Sequence, residues 1–194
     1  MSINTSNHNN QTAADTSYPN QSIDWLKRLI AFDTVSRHSN LALIKDVQSY
    51  CEQLDLKVDL TFNNEKNKAN LFVTVLAGKD ADIVDAGLVL SGHTDVVPVD
   101  GQDWTSNPFK AEIRGDKLYG RGSCDMKGFI ACAVNLLSRA AELSKAGQLS
   151  RPLHLALSFD EEVGCLGAPL ILADLKARGI TPEYCIVGEP TLMN

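Results

Sequence analysis

The stretch GLVLSGHTDVVPVDG, residues 87 to 101, is the part of this chain from which the fold can be inferred. Its apolar run predicts a buried strand over 86–91, and polar side chains follow where that strand ends. Two of them, His93 and Asp95, are two residues apart and therefore point the same way in an extended segment. On its own, such a pair is more often a polar loop at the rim of a sheet than a metal site. The rest of the chain must decide between these two interpretations.

Strands and helices alternate on both sides of this stretch. We predict helices over 23–32, 41–54, 127–145 and 167–178, and strands over 57–62, 71–76, 86–91, 153–159 and 184–187. Ser22 and Asn40 are expected to cap the first two helices, and the turn-rich segment 101–119 contains one extended piece at 112–114. This alternation is typical of a three-layer α/β/α domain with a mixed, largely parallel central sheet.

Composition excludes several classes of protein. A chain of 194 residues with 44% hydrophobic residues can bury a real core. The net charge of −6, with no cluster of lysine or arginine, argues against nucleic-acid binding. No uninterrupted apolar segment is long enough to span a membrane. Residues 1–22 lack the basic start and apolar middle of a signal peptide, so we expect a disordered polar tail followed by one domain over 23–194.

The cysteines favour a reducing compartment, and we expect a cytoplasmic protein. There are five of them, an odd number, and no CxxC pair is present. Because they lie mostly within apolar periodic segments, we expect most of them to be buried.

Acidic residues also follow the other predicted strands. They are Asp160, Glu161 and Glu162 after the strand at 153–159, Glu189 after the strand at 184–187, and Asp125 just before the helix at 127–145. In an open α/β sheet, ligands bind beyond the carboxyl ends of the strands, where these residues and His93 would converge. So many carboxylates are costly to bring together unless a cation neutralises them. One histidine with several oxygen ligands suits zinc, cobalt or manganese, so the sequence favours a metal site at this edge.

Spacing suggests how some of these side chains divide the work. Asp95 is expected to accept the second ring N–H of His93, which would fix the tautomer of the ring. Of the adjacent pair Glu161 and Glu162, one would bind metal and the other would move protons, but spacing assigns neither role.

The glycine-rich segment GRGSCDMKG, residues 120–128, also has to be considered as a phosphate-binding loop. The carboxylate of Asp125 in its middle would repel a phosphate, and the usual GK[ST] ending is absent. We therefore interpret Gly120 and Gly122 as permitting a tight turn that aims Asp125 toward the other acidic residues.

Four motifs together resemble a known family. In chain order they are SGHTDVVPV (91–99), LYGRGSCDMKG (118–128), SFDEEVG (158–164) and VGEPT (187–191). They resemble the co-catalytic zinc aminoacylases and carboxypeptidases, which include acetylornithine deacetylase and succinyl-diaminopimelate desuccinylase, and the resemblance covers about 23–194. The segments 31–44, 101–109 and 125–131 look most like acetylornithine deacetylase. This implies hydrolysis of N2-acetyl-L-ornithine to ornithine and acetate, a reaction of arginine biosynthesis.

The resemblance also implies a cofactor and a set of site residues. The cofactor would be two divalent metal ions, zinc or alternatively cobalt. The implied ligands are His93 and Glu189 on one ion, Glu162 on the other, and Asp125 bridging both. Asp95 would orient the histidine, Glu161 would be the general base, and the peptide bond after Asp125 would be cis.

Members of this family continue through a smaller lid domain that forms a homodimer and supplies a further histidine ligand. We therefore expect this chain to be the N-terminal part of such an enzyme, acting on a small N-acyl amino acid, and to be inactive by itself. Two alternatives stay open: a succinyl-diaminopimelate desuccinylase or related aminoacylase, and a non-catalytic metal-binding remnant.

Overall fold

The computed structural model describes residues 17–78 and 86–191. Its elements, in chain order, are α1 (Ser22–Ile30), α2 (Leu41–Gln53), β1 (Lys57–Phe62), β2 (Ala69–Val75), β3 (Leu88–His93), β4 (Glu112–Arg114), β5 (Lys117–Tyr119), α3 (Lys127–Lys145), β6 (Leu153–Ser158), α4 (Ala168–Ala177) and β7 (Tyr184–Val187). Among the helices of these two ranges, none has the length and apolar character needed to cross a membrane.

Most of the predicted polar tail, residues 1–16, lies outside the described residues. Nearer the domain, Tyr18 stacks on Trp25 with the ring centroids 5.6 Å apart, and its hydroxyl donates to the carbonyl oxygen of Asp46. The chain is therefore packed against the core from Tyr18 onward, four residues before α1 begins at Ser22.

Five strands form the central sheet in the order β1-β2-β6-β3-β7. The β1–β2 and β2–β6 pairs are antiparallel, whereas β3 runs parallel to both β6 and β7. His93 pairs with Ser158, and Ser91 pairs with Val187, so the carboxyl ends of these three parallel strands meet at one edge. This confirms the α/β class with a mixed sheet. Strand β4 pairs with β5 in a separate hairpin, of which only the β4 segment was predicted.

The two faces of the sheet carry different helices because side chains alternate along each strand. On one face, Leu153, Leu155 and Leu157 of β6 pack in the main core with α1, α2 and α3. On the other face, Ala156 packs with Ile171 of α4. The domain therefore has three layers, and the loops beyond the parallel strands lie at the rim of both helical layers.

The bounds of β3 and the two predicted helix caps differ from the prediction for identifiable reasons. Strand β3 begins at Leu88 because Ala86 and Gly87 have positive φ angles of 64° and 82°, which are incompatible with a strand. It continues to His93, so the histidine lies within the strand.

Ser22 is the first helical residue of α1 and caps nothing. Asn40 does precede α2, but its side chain bonds to the backbone of Ala69 and to Thr94 instead of capping the helix.

The prediction that most cysteines are buried was wrong. Cys51 on α2 is buried, whereas Cys124, Cys132, Cys165 and Cys185 are exposed. Periodicity shows that a residue lies in an apolar segment, but it does not show whether another layer covers that side. Cys185, for example, belongs to the edge strand β7, whose residues are all exposed.

Candidate metal centre

His93 ends β3, and only 2% of its surface is exposed. Its Nδ1 lies 2.9 Å from the carbonyl oxygen of Asp95 and 3.6 Å from the carboxylate of the same residue. The nearest acceptor is therefore the backbone carbonyl and not the carboxylate that the sequence analysis expected. In the neutral ring, a hydrogen bond from Nδ1–H to this carbonyl leaves the lone pair of Nε2 directed at the sheet edge.

Asp125 reaches the histidine from the loop that precedes α3. In this loop Gly122 has a φ of +78°, and a Cβ there would lie 2.7 Å from the side chain of Val96, so the turn requires glycine. The peptide bond between Asp125 and Met126 is cis, as the resemblance implied. The loop brings Oδ1 of Asp125 to 3.1 Å from Nε2 of His93.

Asp95 connects the histidine strand to the β6–α4 turn, residues 159–167. Its carboxylate accepts hydrogen bonds from the backbone N–H groups of Glu161 at 3.0 Å and Glu162 at 3.2 Å, and from the hydroxyl of Ser36 at 2.7 Å. Burial raises the pKa of this carboxyl group, but the adjacent His93 ring and the hydrogen bonds from Ser36 and the Glu161 backbone outweigh burial and hold the pKa below its usual value. Asp95 thus positions both adjacent glutamates through their main chain.

Carboxylates surround Nε2 of His93. Besides Asp125, Oε1 of Glu189 lies 3.5 Å away and Oε2 of Glu161 lies 3.9 Å away. Among the described residues, two groups of three side chains have ligand atoms within 4.8 Å of one another: His93, Asp125 and Glu162, and His93, Glu161 and Glu189. The structure therefore brings His93 together with the four carboxylates of Asp125, Glu161, Glu162 and Glu189.

The two groups separate the adjacent glutamates. Glu162 lies with Asp125 and also with His93, which the resemblance assigns to the other ion, so the division of ligands between two ions stays a prediction. Glu161 lies with His93 and Glu189 at ligand-like distances. Its role as a general base therefore stays a prediction from the resemblance.

The pKa shifts show that negative charge accumulates here. Burial lowers the pKa of His93, but the carboxylates of Asp95 and Glu189 outweigh burial and raise it to about 9. Burial raises the pKa of Glu162, and the neighbouring charge of Asp125 raises it further. The pKa of Glu189 is raised in the same way, first by burial and then by Asp125. The site holds more negative charge than one imidazole neutralises, which a cation would relieve.

The donor set fits a borderline divalent ion. One imidazole nitrogen with several carboxylate oxygens suits zinc, cobalt or manganese. The two groups of described residues contain no thiolate, so nothing in them favours a softer ion.

A cleft of about 270 Å³ adjoins the site, and His93, Glu161 and Glu189 line it together with Ser91, Gly92, Ser158, Cys165, Ala168 and Val187. Such a volume has room for part of a small substrate beside the ligands.

Asp160 does not join this cluster, although its position at the end of β6 suggested that it would. It has a φ of +55°, and its carboxylate pairs with Nζ of Lys68 at 2.5 Å. Sequence reasoning missed Lys68 because nothing in a turn between two strands indicates a buried partner. It also missed Cys165, whose Sγ lies 3.3 Å from Oε1 of Glu161.

Comparisons with known proteins show which sequences and folds this chain resembles. The model of Peptidase family M20/M25/M40 matches residues 89–194. The acetylornithine deacetylase of Aliivibrio fischeri is 34% identical over 174 residues, which cover 87% of this chain and 42% of the relative. The succinyl-diaminopimelate desuccinylase of Erythrobacter litoralis is 36% identical over 182 residues, which cover 90% of this chain and 45% of the relative. The chain therefore spans less than half the length of these curated relatives.

Solved structures share the fold at lower identity. Human carnosine dipeptidase 1 matches with a TM-score of 0.67 and 18% identity, over 89% of this chain and 39% of that one. The M20 family metallo-carboxypeptidase Sso-CP2 of Sulfolobus solfataricus matches with a TM-score of 0.65 and 18% identity, over 89% and 38% of the two chains.

Proposed function

The chain belongs to the M20/M25/M40 peptidase family, and from this premise we propose that it carries the metal centre of an amide hydrolase that deacetylates N2-acetyl-L-ornithine. The products would be L-ornithine and acetate, in a reaction of arginine biosynthesis. The observation that supports a hydrolase is the convergence of His93 with four carboxylates at the carboxyl ends of β3, β6 and β7.

The proposed ligands divide between two ions. Nε2 of His93 and the carboxylate of Glu189 would hold one ion, Glu162 would hold the other, and Asp125 would bridge them. Two zinc ions, or cobalt ions in their place, supply Lewis acidity that polarises an amide carbonyl and activates water. The hydrogen bond from His93 to the carbonyl of Asp95 would keep the ring oriented toward its ion.

Glu161 would move the protons. Its carboxylate lies beside the proposed ligands and lines the adjoining cleft, so a substrate amide bound there would be within its reach. We assign it to take a proton from the attacking water and to deliver a proton to the departing amine. Glu162 would serve less well in this assignment, because its oxygen atoms would bind the second ion.

A desuccinylase is the second candidate. The relative from Erythrobacter litoralis is as similar to this chain as the deacetylase from Aliivibrio fischeri is, at 36% and 34% identity. Both reactions would use the same metal centre, so the acyl group and the amino acid distinguish them. We favour the deacetylase because the segments 31–44 and 101–109 look most like that enzyme.

The experiment is a pair of chimaeras in which residues 22–194 replace the matching segment of each of these two relatives. With the deacetylase as host, we expect a zinc-loaded protein that releases acetate from N2-acetylornithine. In that chimaera, Glu161→Ala should abolish turnover and keep the zinc content, whereas Glu162→Ala should lower the zinc content as well.

The host enzymes are the controls for turnover, and circular dichroism checks that each chimaera folds. Equal zinc loss in Glu161→Ala and Glu162→Ala would contradict their assigned roles. Turnover restored only with the desuccinylase as host, on N-succinyl-diaminopimelate, would favour the second candidate. Folded, zinc-loaded chimaeras that release neither acetate nor succinate would identify a non-catalytic metal-binding domain.

A further inference from the structure

Lys68 has a partly buried side chain close to the metal centre, although it contacts none of the proposed ligands. It closes the turn between β1 and β2, where its backbone N–H donates to the side-chain oxygen of Asn63 and its carbonyl accepts from the N–H of Asn63. From this turn the side chain points inward, and only 11% of it is exposed. Covering a lysine ammonium from water is costly unless it finds a partner, so its contacts identify what the side chain does here.

The ammonium group of Lys68 joins two separate loops. It donates to Oδ1 of Asp160 at 2.5 Å, in the β6–α4 turn, and to the carbonyl oxygen of Ser36, in the loop between α1 and α2. Hydrogen bonds from a charged donor are about twice as strong as neutral ones, so these contacts restrain both loops.

The contacts continue until they close a ring. The Ser36 hydroxyl donates to the carboxylate of Asp95, and that carboxylate accepts the N–H of Glu161, which directly follows Asp160 in the chain. The ring thus runs through Lys68, Ser36, Asp95, Glu161 and Asp160 and back to Lys68. The start of the turn is held on one side through the Asp160 side chain and on the other through the Glu161 backbone.

Asp160 has an uncommon backbone conformation at the point where Lys68 holds it. Its φ of +55° lies in the left-handed region, which aspartate tolerates better than most residues, and it is 8% exposed. Within residues 17–78 and 86–191, no lysine or arginine other than Lys68 forms an ion pair with an acidic residue of the β6–α4 turn. Without Lys68, an uncompensated carboxylate would stand next to an already negative site.

We propose that Lys68 is a positioning residue for the metal centre, because its contacts with Asp160 and Ser36 fix the turn that presents Glu161 and Glu162. This inference rests on the proposed function, since it assigns Lys68 a role at the metal site proposed there. Lys68 acts through the turn and contacts neither metal nor substrate.

The test uses the 194-residue chain and two measurements that report on the site itself. Calorimetric titration gives the zinc affinity, and the visible absorption of bound Co²⁺ reports its coordination geometry. Lys68→Met removes the ammonium and keeps the length of the side chain. We expect the affinity of the zinc site that contains Glu162 to fall about 10- to 100-fold, as for other residues that orient metal ligands, and the Co²⁺ spectrum to change, whereas the tighter site of His93, Asp125 and Glu189 should change little.

Three further variants complete the test. Lys68→Arg keeps the charge and should restore most of the affinity. Asp160→Asn tolerates the left-handed backbone but loses the ion pair, so it should resemble Lys68→Met. Lys145→Met is the matched control, because Lys145 pairs with Asp55 where both side chains are exposed, and it should bind zinc normally.

The outcomes separate a positioning role from a purely structural one. A structural role alone would lower the melting temperature of Lys68→Met but leave the zinc affinity and the Co²⁺ spectrum unchanged, which would overturn the proposal. If Lys68→Met does not fold, the same unchanged binding in folded Asp160→Asn would overturn it. Zinc binding absent even from the unaltered chain would instead overturn the proposed function, and this inference with it.

Discussion

His93 uses its two ring nitrogens for different purposes. Nδ1 bonds to the carbonyl of Asp95, and Nε2 faces Asp125, Glu161 and Glu189. Burial lowers the pKa of His93, but Asp95 and Glu189 favour the charged ring and raise this pKa to about 9 in the metal-free chain. A metal ligand must be the neutral ring, so zinc and the proton compete for the same nitrogen.

The raised pKa of His93 predicts how the stability of the metal-free chain depends on pH. The folded-state pKa of His93, about 9, lies above its ordinary value of 6.5, so protonation stabilises the fold. The stabilisation is complete below about pH 6.5 and is lost as the pH rises through about 9. We expect the difference in unfolding free energy between wild type and His93→Gln to decrease by about 3 kcal/mol over this interval.

Urea denaturation of both proteins with a chelator present, from pH 6 to about pH 10, measures this difference. Subtracting the variant is necessary because burial lowers the pKa of Lys127 to about 7, which makes stability rise with pH over part of the same interval in both proteins. A difference that does not vary with pH would show that His93 is not charged in the folded, metal-free chain.

At the scale of elements, the N-terminus of α3 positions Asp125. The helix begins at Lys127, two residues after Asp125, and Gly128 lies in its first turn. A Cβ at Gly128 would be 2.5 Å from the carbonyl oxygen of Ser123, which belongs to the loop that carries Asp125. The loop therefore packs against the helix more closely than any side chain at this position allows.

We predict that Gly128→Ala lowers both stability and zinc affinity. Alanine normally stabilises a helix interior by about 0.5–1 kcal/mol relative to glycine. Here the added Cβ meets backbone, and forcing extra atoms into a packed region costs about 1–3 kcal/mol, so we expect the contact with the loop to decide the sign. Thermal unfolding and zinc titration measure the two effects.

Glu142→Ala is the control for the helix substitution, because Glu142 lies on the exposed side of α3 and pairs only with Arg139 in an exposed i,i+3 contact. We expect its effect on stability to stay within about 0.5 kcal/mol. A Gly128→Ala protein more stable than wild type would show that the loop moves freely and does not define the position of Asp125.

At the scale of the whole molecule, the metal centre is assembled from four segments that are distant in sequence. In our assignment one ion has three protein ligands, His93, Asp125 and Glu189, whereas the described residues offer the other ion only Asp125 and Glu162. The side chains of Asp125 and Glu189 are 49% and 41% exposed, so water reaches these two carboxylates. Two unequal and solvated sites follow from this arrangement.

We therefore predict that the 194-residue chain by itself binds one zinc ion tightly and shows negligible hydrolysis of N2-acetylornithine. An ion with two protein ligands is held weakly, and a solvated cleft neither strengthens electrostatic interactions nor orients a substrate. Calorimetric stoichiometry and an acetate-release assay check both statements, with the Aliivibrio fischeri deacetylase as the positive control. Two tight zinc sites, or turnover close to that of the control, would contradict the prediction.

Local patterns in the sequence determined much of the fold. The bounds of β1, α3 and β7 agree with the prediction. These bounds could be predicted because periodicity, and the glycines and prolines between elements, depend only on residues that are neighbours in the sequence. The alternation of these elements was sufficient for the α/β class. The candidate site was also accessible, because its acidic residues follow strands whose parallel order places their ends together.

Only the tertiary structure decided which side chains are covered and which distant groups meet. It left four cysteines exposed, gave Asn40 partners in β2 and beside β3, and joined Lys68 to Asp160, 92 residues away. It also showed that the carboxylate of Asp95 holds the backbone of the glutamate pair. The physical reason is that periodicity records the apolar face of an element, whereas these contacts depend on how separate layers and loops pack against one another.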